Sequence, residues 1–352
     1  MLFLFSNLYM KGKISQLCPR YALMRQIENL KKAGYVLKTG FEPEFFILDK
    51  NELKENTVLE KPGHRFHDPL LVMENSNILR KILDILDELG WKPYQIEKEG
   101  GMAQFEVCYD FADALTSADR MVFIKFMIKE IAREAGMRAS FMPFLPKFSF
   151  GCGQHIHMSL WDVIVDVNAM PGNGELGFSG TGRHWLAGVL DHLDGLTAIA
   201  CPTVNSYKRL HAYKNFANFH GYGVNSRYVP LRIVEVNDTC ERIEYRTPDG
   251  SVNPYLIQAA IIAAGLDGLD KAEDPNPKLR NEEALFDESS PKDSKILPQT
   301  LDFAIQALET DETLMAALGE PLIIGFHTVK EIEMDPYRKE VSEVEKNAVE
   351  MY

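Results

Sequence analysis

Charged side chains recur at every second position inside apolar, strand-like segments of this sequence. Residues i and i+2 of a β-strand share a face, so each set would present its charges side by side. The sets are Glu42 and Glu44 in GFEPEFFIL, His155 and His157 in GCGQHIHMSLW, and Arg242, Glu244 and Arg246 in RIEYR. Glu99 and Glu106, in EGGMAQFE, bracket a glycine-bearing turn. Ionised groups among large apolar residues are costly unless they are paired or bind a metal.

Pooled, these sets offer five carboxylates and one imidazole as metal ligands. The candidates are Glu42, Glu44, Glu99, Glu106, His155 and Glu244. Such hard, oxygen-rich donors favour Mg²⁺ or Mn²⁺, and six of them suit two or more ions. Arginines beside such ions are what phosphoryl transfer requires, which indicates an ATP-dependent, metal-assisted reaction with an undetermined acceptor. Each pattern alone is also typical of a solvated strand face or of a surface ion-pair ladder. Such a ladder contributes little to the stability of the fold.

Composition limits the class of protein and its partners. The chain has 352 residues, of which 45% are hydrophobic and 25% charged, which is typical of a globular protein with one large domain or two. Its net charge of −13 disfavours nucleic acid and anionic membranes as partners. Its hydrophobic start, MLFLF, is too short for a signal peptide or a membrane span. Five cysteines without CxxC spacing favour a reducing compartment, so we expect a cytoplasmic protein.

Periodicity predicts an α+β fold. A strand is predicted over Tyr35–Asp49, and Asn253 and Pro254 are typical of a helix start. Apolar stripes at helical spacing predict helices over 19–33, 76–89, 117–135, 298–318 and about 321–350. Thr116 or Ser117 is the expected N-cap of the helix over 117–135, and Gly136 its C-terminal stop. Residues 163–183 and 271–295 are predicted loops, and the chain contains no Rossmann or P-loop glycine motif.

In sequence order, the charged segments resemble the catalytic domain of the glutamine synthetase family. The resemblance covers roughly residues 18–350 and also includes ADALTSADR, FMPFLPK, PTVNSYKRL, NSRYVPLRI and RIEYRTPDGSVNPYL. It is closest to the branch of bacterial glutamine synthetases and their γ-glutamyl-amide relatives. It implies an α+β fold in which a curved, mostly antiparallel sheet carries the metal ligands and is flanked by helices. It also implies a short segment over 1–17, a catalytic domain over 18–352, and assembly as a homo-oligomer.

The resemblance assigns roles to individual residues. Glu44, Glu99 and Glu106 resemble the ligands of the metal near the γ-carboxylate and ammonium. Glu42, His155 and Glu244 resemble the ligands of the metal on the ATP phosphates. The residues that resemble those that bind substrate glutamate are Gly151, Arg209 and Arg246. Those that resemble the phosphate-side arginines are Arg227, Arg232 and Arg242. Those at the positions of nucleotide contacts are His157, Ser159 and Arg242. The activity implied is phosphorylation of the γ-carboxylate of glutamate by ATP, after which ammonia or a small amine displaces phosphate, with Mg²⁺ or Mn²⁺ bound.

Several positions depart from the family pattern. Only about 17 residues precede the resemblance, where the family has a β-grasp domain. Asn215 falls where a flap glutamate is expected, Phe150 where an asparagine is expected, and Phe286 where one bacterial class has its adenylylated tyrosine. Two hypotheses follow: a ligase whose N-terminal domain is absent from this chain, or a catalytically lapsed relative that binds metal and nucleotide or serves as a structural subunit. The expected behaviour of the chain alone is glutamate-stimulated ATP hydrolysis with little amide product.

Overall fold

The computed structural model describes residues 3–49, 66–145, 151–212, 218–236, 239–275 and 295–342. The strands are β1 (Tyr9–Met10), β2 (Lys13–Ile14), β3 (Tyr35–Asp49), β4 (Pro93–Lys98), β5 (Gln104–Tyr109), β6 (Ala112–Asp113), β7 (Met137–Ser140), β8 (Gln154–Asp162), β9 (Tyr222–Val224), β10 (Leu231–Val236) and β11 (Thr239–Tyr245). Within these ranges, every helix is too short or too polar to cross a membrane.

Nine of the described strands form one sheet. Its main path runs β4, β5, β3, β8, β11, β10, β9, and the short strands β6 and β7 pair with β3. The pairs are antiparallel except for β9 and β10, which run parallel. β3 covers the predicted range Tyr35–Asp49 and pairs with β8 along nine residues. The long central pair therefore forms the spine of the sheet.

The two faces of the sheet differ in polarity. On β8 the side chains of Ile156, Met158 and Leu160 are buried in the hydrophobic core, whereas His155 and His157 alternate with them and point to the other face. On β11 the same alternation separates the buried Ile243 from Glu244 and Arg242. The helices pack on the apolar face, so the opposite face carries the charged residues.

The described helices are α1 (Pro19–Lys32), α2 (Pro69–Glu74), α3 (Ser76–Glu88), α4 (Ala114–Glu134), α5 (Gly180–Asp191), α6 (Leu193–Ala200), α7 (Val204–Ala212), α8 (Pro254–Lys271), α9 (Leu301–Thr310), α10 (Glu312–Leu318) and α11 (Glu320–Lys339). α8 is buried along most of its length and contacts α1, α4, α5 and α10. It crosses α5 closely: a Cβ added at Gly188 would lie 2.2 Å from the carbonyl oxygen of Ala264. The predicted α+β fold, with a mostly antiparallel sheet flanked by helices, is confirmed.

Most predicted helices are present, with different ends. Asn253 caps α8 as predicted, because its Oδ1 accepts hydrogen bonds from the N–H groups of Tyr255 and Leu256. The predicted cap of α4 was wrong: Asp113 accepts from the N–H of Thr116, so the helix begins three residues before Ser117. The helix predicted over 298–318 is divided at Asp311, whose side chain caps α10. Residues 276–294 and 343–352 lie outside the described ranges. Most of the predicted loop over 271–295 and the end of the helix predicted to about 350 therefore lie outside the described residues.

Candidate active site

Thirteen of the fourteen predicted site residues line one cavity of about 420 Å³ on the charged face of the sheet. They are Glu42, Glu44, Glu99, Glu106, Gly151, His155, His157, Arg209, Arg227, Arg232, Arg242, Glu244 and Arg246. The fourteenth, Ser159, lines a neighbouring cavity of about 280 Å³, whose wall shares Glu42, His157 and Arg242 with the first. The structure therefore brings together residues that are up to 204 positions apart in the sequence, from Glu42 to Arg246.

Strand register explains how these side chains meet. Glu42 on β3 is paired with His155 on β8, and His157 on β8 is paired with Glu244 on β11. Directly paired residues of an antiparallel sheet have Cβ atoms about 5 Å apart, so their side chains are in reach of each other. Both pairs contain an imidazole and a carboxylate. The charged residues predicted at every second position of single strands thus lie next to one another across β3, β8 and β11, on one face of the sheet.

One half of the cavity is built around His155, which is buried. Its Nδ1 lies 3.3 Å from Glu244 Oε1 and 3.6 Å from Glu42 Oε2. Arg232 donates a hydrogen bond of 2.9 Å to Glu244 Oε2, and Arg246 donates to Glu244 Oε1. Since Glu244 is almost fully buried, two arginines at its carboxylate offset the desolvation of its charge.

The carboxylates of this half are held in the charged form. Burial disfavours ionisation of Glu42, but the neighbouring His157 and His155 outweigh it and hold the pKa of Glu42 well below its usual range. For Glu244, burial is likewise outweighed by Arg246 and His155, and the pKa is lowered. Burial, assisted by Arg246, lowers the pKa of His155 to about 4, so its imidazole is neutral at neutral pH and its nitrogen is available as a ligand.

The other half contains Glu44, Glu99 and Glu106 and has the opposite electrostatic character. Burial, followed by the charge of Glu99, raises the pKa of Glu44 to about 8. Burial and the charges of Glu42 and Glu44 raise the pKa of Glu106 well above its usual range, and burial also raises that of Glu99. Carboxyl groups gathered in this way resist ionisation because their negative charges repel one another, and a divalent cation would displace their protons and compensate the charge.

The positions of the donor atoms suit such cations. Ligand atoms of Glu42, His155 and Glu244 lie within 4.8 Å of one another, and so do those of Glu44, Glu106 and His155. Two further groups within the same limit consist of Glu97, Glu99 and Glu106, and of Glu42, Glu106 and Cys108. Carboxylate oxygens dominate each group, which fits hard ions such as Mg²⁺ and Mn²⁺ rather than a closed thiolate site. The donor atoms of these residues are therefore suited to the divalent ions, Mg²⁺ or Mn²⁺, that the sequence predicts.

The predicted substrate residues lie at the end of the cavity nearest Glu44. Gly151 has a left-handed backbone conformation (φ 82°), and a Cβ there would lie 2.7 Å from Arg209 Cγ. Arg209 donates to the carbonyl oxygens of Thr247 and Arg246, and Arg246 Nε donates to that of Arg227. Arg246 follows the last residue of β11, so the strand expected to carry all of RIEYR ends one residue early.

The predicted nucleotide residues lie further along β8. Arg242 Nε donates 3.0 Å to His157 Nδ1, while His157 Nε2 lies 2.8 Å from Glu42 Oε1. Ser159 Oγ accepts a hydrogen bond from the indole of Trp161, whose ring is covered by the ammonium of Lys38 at 3.5 Å. Aromatic and cationic groups beside the phosphate-side arginines are chemically suited to a nucleotide base and its phosphates.

Sequence reasoning missed two polar residues that line the cavity, Glu97 and Cys108, and Gln104, which contacts two of its lining residues. Glu97 precedes Glu99 by two positions on the β4 side of the turn, so the same period-two signal would have found it. Gln104 Nε2 donates 2.6 Å to Glu44 Oε2 and 2.6 Å to the carbonyl oxygen of Gly151. Cys108 Sγ donates to Glu106 Oε1 at 3.4 Å. Neither Gln104 nor Cys108 carries a charge, so the charge pattern does not identify them. Phe150, Asn215 and Phe286 lie outside the described residues.

Comparison with known proteins gives the class. The family model "Glutamine synthetase, catalytic domain" matches residues 16–349 of this chain. The chain belongs to the glutamine synthetase family, as the motifs predict.

Two members of that family are similar to this chain over most of its length. The glutamine synthetase of Rhizobium meliloti is 36% identical over 334 residues, which are 93% of this chain and 76% of that protein. The glutamate–methylamine ligase of Methyloversatilis universalis is 37% identical over 356 residues, covering 96% of this chain and 77% of that protein. Among solved structures, "GmaS/ADP complex-Conformation 1" is similar with a TM-score of 0.89 and 35% identity, over 98% of this chain and 80% of that one.

Proposed function

We propose that this protein ligates ammonia or a small amine to the γ-carboxylate of glutamate, using ATP and forming a γ-glutamyl phosphate. The observation that carries the proposal is the joining of two electrostatically opposite halves in one cavity. Glu44, Glu99 and Glu106 lie in the half whose carboxyl groups have raised pKa values, and Glu42, His155 and Glu244 form the half in which the pKa values of the carboxyl groups are lowered. The names of the relatives, glutamine synthetase and glutamate–methylamine ligase, support the same reaction class.

Within this proposal, the residues of the chain bind and orient both substrates. Arg209 and Arg246 would bind the anionic groups of glutamate beside Gly151, since guanidinium groups pair with carboxylates in a fixed geometry. Arg227 and Arg232 would stabilise charge on the transferring phosphoryl oxygens. His157, Ser159 and Arg242 would contact the nucleotide. Divalent ions, held by the six predicted ligands, would supply Lewis-acid polarisation of carboxylate and phosphate oxygens.

The arrangement accounts for both steps of the reaction. Attack by the γ-carboxylate on the γ-phosphorus of ATP would form the acyl phosphate and break the bond to ADP. Because this step brings two anions together, the arginines, with the divalent ions that the six ligands would hold, would neutralise the combined charge. The acyl phosphate that results has phosphate as a good leaving group, and a neutral amine can displace it. The carboxyl-rich half, near Glu99, would bind the ammonium form of the amine, and an ionised carboxylate there would accept its proton before the neutral amine attacks.

The test is phosphate release from ATP by the purified chain with glutamate, Mg²⁺ and separate amines: ammonia, methylamine and a polyamine. We expect glutamate-dependent phosphate release, a γ-glutamyl product identified by mass spectrometry, and loss of both in Glu106→Gln. Glu88→Gln, which changes an exposed glutamate of α3, is the matched control and should retain activity. Phosphate release without any amide would identify the first step alone. Folded protein that binds metal but releases no phosphate with glutamate would favour a nucleotide-binding or structural subunit.

A further inference from the structure

The loop between β11 and α8, residues 246–252, is held through its backbone carbonyl oxygens. At its first end, Arg209 Nη1 donates 2.8 Å to the carbonyl of Thr247, and Arg209 Nη2 donates 3.3 Å to that of Arg246. In the middle, the N–H of Gln154 donates to the carbonyl of Pro248 at 3.0 Å. Of these donors, Arg209 lines the cavity and Gln154 is the buried first residue of β8. They leave the second end of the loop to be held from another direction.

Lys125, on the apolar-face helix α4, holds that second end. Its Nζ donates 2.9 Å to the carbonyl of Gly250 and 3.3 Å to that of Val252. Burial lowers the pKa of Lys125 to about 8, while the nearby carboxylate of Asp249 acts in the opposite direction. Asp249 is fully buried, so Lys125 also supplies part of its counter-charge. Lys125 does not line the cavity, and any influence on substrates must pass through the loop.

The loop has little space in which to shift. A Cβ added at Gly250 would lie 2.2 Å from the carbonyl oxygen of Phe141, so the two backbones are already in close contact. The N–H of Gly250 donates 3.1 Å to the carbonyl of Cys152, and Asp249 forms a β-bridge with Gly153. Movement at Gly250 would therefore displace Arg246 and the segment 151–153, which belong with Arg209 to the predicted glutamate site.

We infer that Lys125 is a positioning residue for the glutamate end of the cavity, which acts by fixing the loop 246–252 from behind the sheet. The inference rests on the proposed function, because it names glutamate as the ligand of that end. The nucleotide end lies further away: Ser159 is five positions beyond Gln154 on β8, about 17 Å along an antiparallel strand. Loss of Lys125 should thus affect glutamate and leave ATP largely unaffected.

Lys125→Met is the variant that tests this, and Lys129→Met is its matched control. Both lysines are on α4, and their ammonium groups lie 5.9 and 5.8 Å from the centre of the Phe141 ring. Lys129 is exposed. In glutamate-dependent phosphate release, we expect Lys125→Met to raise the KM for glutamate about tenfold or more, with the KM for ATP within about twofold of wild type. Lys129→Met should match wild type, and Lys125→Arg should recover part of the glutamate affinity.

Thermal unfolding identifies variants that do not fold. If Lys125→Met is unfolded, Lys125→Gln takes the same test, because its amide retains an N–H donor for one of the two carbonyls. Unchanged glutamate KM in a folded Lys125 variant, or equal increases for glutamate and ATP, would overturn the inference while the proposed function stands. Wild-type protein without glutamate-dependent phosphate release would overturn the proposed function, and the inference with it.

Discussion

Glu44 and Glu106 lie directly opposite each other in the antiparallel pair of β3 and β5. Both side chains are largely buried, so ionising both would place like charges opposite each other at a high cost, which is why the pKa values of both carboxyl groups are raised. A fold would not gain stability from this pair in the absence of a cation. The pair therefore connects the stability of the sheet to divalent ions.

The first prediction concerns that connection. We expect Mg²⁺ or Mn²⁺ to raise the unfolding temperature of the wild type, by an amount equivalent to about 2.7 kcal/mol when free metal is a hundredfold above its Kd. Glu106→Gln should be more stable than wild type without metal and should gain less from metal. Differential scanning calorimetry with EDTA or with each ion measures both effects. An unfolding temperature that is independent of metal in the wild type would contradict the two-half site.

The second prediction separates the two halves. Glu244→Ala should weaken binding of an Mg²⁺–nucleotide complex more than Glu99→Ala does, since Glu244 pairs with the phosphate-side Arg232. It leaves Arg232 and Arg246 without their buried carboxylate partner, and these side chains would then be misplaced. Isothermal titration with ADP and Mg²⁺ gives both affinities. Equal losses in the two variants would show that the halves do not divide the ligands in this way.

The third prediction concerns pH and lies away from the cavity. His192 Nδ1 lies 2.6 Å from Asp311 and its Nε2 lies 3.1 Å from Asp267, which also pairs with Lys271. Burial opposes protonation of His192, but the two aspartates outweigh it and raise the pKa of His192 above its usual 6.5. A raised folded-state pKa stabilises the fold at pH values below 6.5, and this contribution is lost as the pH rises through the folded-state pKa.

The measurement is the denaturant midpoint of wild type and His192→Gln at several pH values. The wild type should exceed the variant by the largest margin near about pH 6 and by a smaller margin near about pH 9. His211, an exposed histidine on α7 whose Nε2 contacts the carbonyl oxygen of Gln299 and not a carboxylate, provides the control His211→Gln. A margin for His192 that grows with pH would have the wrong sign for this cluster.

The fourth prediction concerns the crossing of α5 and α8. A Cβ at Gly268 would lie 2.1 Å from the carbonyl oxygen of His184 and 2.6 Å from the backbone N of Gly188. Since these are backbone atoms, Gly268→Ala should destabilise the protein by about 1–3 kcal/mol. Gly180→Ala, at the start of α5, would meet an ordinary contact of 3.7 Å and should be neutral or slightly stabilising. Denaturant unfolding compares the two; equal stabilities would contradict the close crossing.

The sequence predicted which charged residues lie in the cavity better than it predicted which of them contact one another. Period-two spacing identified Glu42, His155 and Glu244 because strand geometry repeats every two residues, whatever the partner strand is. The pairing of strands depends on distant parts of the chain, so the meeting of Glu44 with Glu106 followed from the family resemblance rather than from spacing. Glu97 fits the same period-two pattern, since it lies two positions before Glu99.

Helix ends show a similar division between local and distant causes. Asn253 was predicted as a cap because the following proline marks the first turn, a local signal. Asp113 was missed because Thr116 and Ser117 are equally good capping residues by type, and only the pairing of β6 with β3 determines where the chain turns into α4. Lys125 shows the limit most clearly, since its partners Gly250 and Val252 are 125 and 127 residues away.

Gln104 has a consequence for how ligands bind. One amide nitrogen donates both to Glu44 and to the carbonyl of Gly151, and the amide oxygen is fixed by the N–H of Gly101. A cation at Glu44 and a substrate at Gly151 would thus both act on the orientation of the Gln104 side-chain amide, and each could favour or disfavour the binding of the other. Any factor by which the cation changes the affinity for substrate must equal the factor by which substrate changes the affinity for the cation. The order in which the two bind is then free to vary, whereas their cooperativity is a fixed property of this amide and its neighbours.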